Sequence, residues 1–171
     1  RPAARERRGG GGGEGLRPFR VSPPAETVPP PPRPPVLALD VSQYSGEITI
    51  ADWQRVREAG VGLAIVKLST FAAWAADLAR QQLVAAAAAG LPVAGYLWCE
   101  FDEDPVEQVR QALSIADAAG VALRWLALDV EHDAWRGAAA ITTWVRRAAE
   151  AVAESASGGR PVVYTARWFW H

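Results

Sequence analysis

Gly60, Gly90 and Gly120 recur at thirty-residue intervals. Each ends a run that reads as a helix and precedes a run that reads as a strand. Val36–Ser42 is apolar up to an acid and reads as a first strand. Ser45-Gly46 marks a turn, and Trp53, Val56 and Ala59 then share one face of a short helix. Gly62–Leu68 is the second strand, Phe71–Ala89 an alanine-rich helix, and Pro92–Trp98 the third strand. Asp104-Pro105-Val106-Glu107 places Asp at the N-cap, Pro at N1 and Glu at N3 of a helix running to Gly120. A fourth strand begins at Trp125. Ile141, Trp144, Val145, Ala148 and Val152 mark an amphipathic helix that ends at Gly158-Gly159. Pro161–Thr165 is the fifth strand. Alternating βα units of this length predict an α/β fold on a parallel sheet, open or closed into a barrel.

In such folds the carboxyl ends of the strands carry the chemistry. Trp125-Leu126-Ala127-Leu128 runs straight into Asp129-Val130-Glu131. Side chains alternate along a strand, so Asp129 and Glu131 share a face, with Cβ atoms about 6.6 Å apart. Like charges at that spacing resist double ionisation, and one pKa is expected to rise. That keeps a carboxylic acid protonated near neutral pH for general-acid work. An acid at a strand end is often simply solvated, but here the rim is shared. Asp40 ends the first strand, Tyr96 and Trp98 the third, and Tyr164 the fifth. Carboxylates and aromatics gathered on one rim suit a carbohydrate, with acids to cleave and ring faces to hold sugars.

Composition separates the chain into two parts. Residues 1–35 contain ten of the thirteen prolines, the run Gly9–Gly13, and seven Arg against three Glu. This is expected to be a disordered Gly/Pro/Arg-rich linker. Residues 36–171 carry eleven basic and sixteen acidic side chains, which argues against nucleic acid as a partner. Cys99 is the only cysteine, which excludes an internal disulfide. His132 and His171 do not form a metal-ligand set with it, so neither metal nor other cofactor is expected. No apolar run reaches membrane-spanning length. No glycine-rich phosphate loop follows any strand, which disfavours a nucleotide-binding domain.

Leu39–Gly46 with Asp52-Trp53, Ala64–Lys67, Ala88–Tyr96, Leu128–Glu131 and Pro161–Thr165 resemble, in order, segments of glycoside hydrolase family 25, the lysozyme or N-acetylmuramidase family. The resemblance implies an irregular TIM-like (β/α) barrel over residues 36–171, with about five βα units present and the late strands lacking. The chain starts at Arg1 and ends mid-pattern at His171, so a C-terminally truncated piece of a longer product is expected. The implied activity is cleavage of the β-1,4 bond between N-acetylmuramic acid and N-acetylglucosamine in peptidoglycan, without metal. By the same resemblance Glu131 matches the catalytic acid, Asp129 its neighbouring acid and Asp40 the first-strand acid. Tyr44, Tyr96 and Tyr164 match groove tyrosines, Trp98 joins them at the rim, and Trp53 reads as structural. An extracellular or cell-wall location follows, with peptidoglycan strands as partner and a monomer when complete. Leu68-Ser69-Thr70-Phe71 departs from the family's Thr-Glu-Gly segment, and Leu97 stands where the family often has His. Two alternatives fit the same rim: a chitinase-like glycosidase, and a wall-glycan-binding module without activity.

Overall fold

The computed structural model describes residues 36–68, 73–166 and 169. All of these lie in one unit, Pro34–His171. The linker expected over residues 1–35 and the departure at Ser69-Thr70-Phe71 lie outside the described residues.

Among the described residues five strands alternate with four α-helices: β1 (Leu37–Val41), α1 (Ile50–Glu58), β2 (Val61–Lys67), α2 (Ala73–Ala88), β3 (Val93–Trp98), α3 (Pro105–Ala119), β4 (Trp125–Asp129), α4 (Ala138–Glu154) and β5 (Arg160–Tyr164). A short 3-10 turn, Gln43–Ser45, follows β1. The strands stand in chain order and every neighbouring pair is parallel. Among the described residues the sheet is open, with β1 and β5 as its edges.

Local sequence accounts for the helix ends. Asp104 caps α3, accepting from the Val106 and Glu107 N–H groups at 2.9 and 3.0 Å, with Pro105 in the first turn. Thr49 and Asp52 form a capping box that starts α1 three residues before Trp53. Gly60, Gly90 and Gly120 take φ of 98°, 81° and 64°, the left-handed region that lets a helix stop and turn back to the sheet.

Period-two alternation separates the faces of the sheet. Val41, Ala64, Val66, Val93, Leu97, Leu126 and Leu128 are buried on the helix side, where they meet Leu83 of α2, Val109 and Leu113 of α3, and Ala148 and Val152 of α4. Trp53 of α1 is fully buried in the same core, in keeping with its structural reading. Burying a side chain of this kind is worth about 1.5–3 kcal/mol, less the cost of its indole N–H, which has no partner. Gly95 lets β3 approach closely: a Cβ there would stand 3.2 Å from a Leu126 methyl and closer still to Leu68. The opposite phase of each strand faces a cavity.

Candidate active site

The cavity measures about 480 Å³ and is lined by residues of all five strands. Asp40, Tyr44, Tyr96, Trp98, Asp129, Glu131 and Tyr164 all line it, so the structure brings every candidate site residue to one place. Strand register explains this: Trp98 pairs with Asp129, and Asp129 with Tyr164, at the carboxyl ends of β3, β4 and β5. Sequence reading missed Ser42, Lys67 and Trp125, which also line the cavity. Lys67 had a legible signal, being the only lysine among eighteen basic residues and the last residue of a strand.

Each wall has its own support. Ser42 caps the turn after β1, accepting from the Tyr44 N–H at 3.2 Å, and Tyr44 is left 88% exposed at the mouth. Gln82, buried in α2, holds that turn from behind by donating to the Ser42 and Gly46 carbonyls at 3.1 and 2.7 Å. On the far wall the Lys67 ammonium sits 5.5 Å from the centroid of the Trp98 ring. His132 stacks on Trp98 with centroids 5.4 Å apart, and Phe101 packs against His132 at 5.3 Å. The His132 Nε2 lies 2.7 Å from the Cys99 carbonyl, which can only accept, so that nitrogen carries the hydrogen.

Burial sets the electrostatics. Asp129 is 6% exposed and its Oδ1 has no hydrogen-bond partner. Burial, then the Glu131 charge, pushes its pKa up to about 6, against the opposing pull of Lys67 and His132. One carboxyl of the pair is thus raised, as the spacing predicts, and that carboxyl is Asp129. Asp129 is therefore the acid of the pair that holds its proton toward neutral pH. Glu131 is half-buried and lines the cavity beside Tyr164. The Glu131 charge, with burial and the other two acids, raises the Tyr164 pKa. Burial and the Asp40 and Asp129 charges push Tyr96 up to about 12, so it stays a neutral hydrogen-bonding phenol. Burial likewise raises the Cys99 thiol and leaves it unreactive. Among the described residues no three metal-ligating side chains converge.

The model of glycosyl hydrolases family 25 matches residues 39–171. The chain belongs to glycosyl hydrolase family 25. Solved structures share the fold. A family 25 glycosyl hydrolase from Bacillus anthracis aligns with a TM-score of 0.62 at 18% identity, over 80% of this chain and 63% of that one. A muramidase from Trichobolus zukalii gives 0.61 at 18% identity, over 80% and 68%. An endolysin catalytic domain from a bacteriophage of Listeria monocytogenes gives 0.58 at 16% identity, over 79% of this chain and 65% of that one. The family 25 chain therefore spans about two thirds of the length of these structures. No curated protein sequence matches it. The departure from the family pattern at Leu97 falls on the helix side of the sheet, fully buried, and so does not alter the cavity wall.

Proposed function

We propose that this family 25 chain is a peptidoglycan hydrolase of the lysozyme type, cleaving the β-1,4 bond between N-acetylmuramic acid and N-acetylglucosamine. The observation that carries this reading is the pair Asp129 and Glu131, with one buried carboxyl raised to about 6, in an aromatic-lined cavity at the strand ends. Two neighbouring carboxyls that retain one proton between them can protonate a leaving oxygen while the remaining charge steadies an oxocarbenium-like centre. Glu131 is assigned the delivery of that shared proton, since it is the less buried of the two and faces the open cavity, with Asp129 as the carboxyl that holds the proton in reserve. Asp129 supplies the second carboxyl. Its unpartnered Oδ1 is an acceptor for a substrate N–H or O–H donor, because a buried acceptor without one is costly. Asp40 positions substrate or water from β1. Tyr44, Tyr96, Trp98 and Tyr164 present ring faces and hydroxyls to the sugars. A site built for wall glycan implies action at the cell wall, outside the membrane.

The test is reducing-end release from purified peptidoglycan, with chitin as the comparison polymer and circular dichroism on each variant. Glu131→Gln keeps shape but cannot deliver a proton, so activity should fall by about 10²–10⁴-fold with fold and glycan binding retained. Asp129→Asn should also be severe, Asp40→Asn milder, and Glu154→Gln, exposed at the end of α4, silent. Near-normal cleavage by the Glu131→Gln chain would overturn the assignment. Binding of wall glycan without any release by the unaltered chain would indicate a binding module. Preference for chitin would indicate a chitinase-like enzyme.

A further inference from the structure

The loop between β4 and α4 leaves Glu131 and presents Trp135 with 99% of its surface exposed, more than any other large apolar side chain among the described residues. An indole left in water forgoes the burial that aromatic side chains ordinarily find. The backbone that presents it is unusual as well. Ala134 and Trp135 take φ of 45° and 61°, two successive left-handed residues without a glycine. Such a conformation persists only where the surroundings hold it.

Here the surroundings hold the loop on both sides of the indole. His132 roots it between Trp98 and Phe101. The Asp133 carboxylate accepts from the Trp135 N–H at 3.0 Å, and the Asp133 carbonyl from the Arg136 N–H at 2.8 Å. The Arg136 guanidinium donates twice to Asp102 Oδ1, at 3.1 and 2.7 Å, tying the loop to the segment before α3. Ala134 packs against the core. The loop is braced on both sides of Trp135, and the indole is what it holds out.

We propose that Trp135 is a sugar-stacking subsite outside the catalytic cavity, taking a ring further along the same glycan strand. The proposal rests on the reading of the cavity as a glycan site. Trp135 is four positions after Glu131, so the two Cα atoms lie within about 14 Å of each other. A polymer held at Asp129 and Glu131 must leave over the rim, and a flat apolar ring on that rim matches the C–H face of a pyranose. A membrane contact fits less well. It needs a basic or broadly apolar surround, whereas the flanking side chains are Asp133 and an Arg136 already neutralised by Asp102.

The experiment measures binding by the full 171-residue chain and its Trp135→Ala and Trp135→Phe variants. The ligands are purified peptide-free glycan strands and the N-acetylglucosamine–N-acetylmuramic acid disaccharide. Trp135→Ala should weaken strand binding by about three- to tenfold, the usual worth of one aromatic contact. Disaccharide binding and thermal melting should be unchanged, and Trp135→Phe should recover most of the loss. Equal strand affinity for wild type and Trp135→Ala would overturn the proposal, as would an equal loss for strand and disaccharide. Vesicles of phosphatidylglycerol form a further arm: vesicle binding lost in Trp135→Ala with strand binding intact would also overturn it, in favour of a membrane contact. Failure of the wild type to bind either glycan would instead overturn the lysozyme-type reading beneath it.

Discussion

At the scale of single residues, alternation along β4 made Asp129 and Glu131 legible as a pair, but not which of them is deprived of water. That depends on β3 and β5, which flank Asp129 through its pairing with Trp98 and Tyr164. The consequence is measurable as stability. The folded chain holds the Asp129 proton up to about pH 6, whereas the unfolded chain releases it near 3.8. The native state therefore binds more protons in that window, and stability falls as pH rises through it. A shift from 3.8 to about 6 corresponds to about 3 kcal/mol in all. Asp129→Asn removes the charge, so its melting temperature should exceed that of the wild type at pH 7 and converge with it near pH 4. A wild-type melting temperature that climbed between pH 4 and pH 6.5 while the variant's stayed level would contradict this sign. Tyr96, Trp98 and Tyr164 were legible by type and strand position and Tyr44 through the family resemblance, whereas Ser42 joins the cavity only through the fold.

At the scale of elements, helix and strand boundaries follow from local chemistry, and most were readable. Asp104, Pro105 and Glu107 mark the start of α3 in the sequence and in the structure alike. The start of α1 was less visible, because its Thr49–Asp52 capping box precedes the apolar face that signals the helix. How one element braces another was not readable at all. Gln82 lies in a long alanine-rich run, and nothing local distinguishes it from a solvated glutamine. In the fold it is 1% exposed and donates to two carbonyls of the turn that carries Tyr44. Gln82→Leu keeps approximate volume but leaves both carbonyls without that donor, which should cost about 1–3 kcal/mol. A denaturant titration should show a lower midpoint with an unchanged slope. Weaker glycan binding should follow, since the Tyr44 turn loses its brace. An unchanged midpoint would mean that water replaces Gln82 at no cost.

At the scale of the whole molecule, the sheet has two edges among the described residues, and both carry exposed apolar side chains. Leu37 and Leu39 of β1 are 60% and 37% exposed, and Val163 of β5 is 49% exposed. Unpaired strand edges with apolar side chains favour association between chains. The 171-residue chain should therefore self-associate at micromolar concentration, as read by sedimentation velocity. The double substitution Leu37→Lys and Val163→Lys places a charge on each edge and should shift the distribution toward monomer while circular dichroism stays constant. A wild-type chain that sedimented as a monomer across the concentration range would show that these edges are covered.

The βα alternation was readable from the chain alone, because hydrophobic period, capping residues and the spacing of Gly60, Gly90 and Gly120 are local properties. So were the acids and aromatics that stand at strand ends, because position along a strand is a matter of counting. The rest came from long-range packing. Parallel register gathered the five strand ends around one cavity. Burial between neighbouring strands raised the Asp129 carboxyl. Packing against Trp98, Phe101 and Asp102 fixed the loop that holds Trp135 in solvent. Desolvation and bracing are produced by residues far apart in the chain, so no window of sequence around Asp129 or Trp135 contains them.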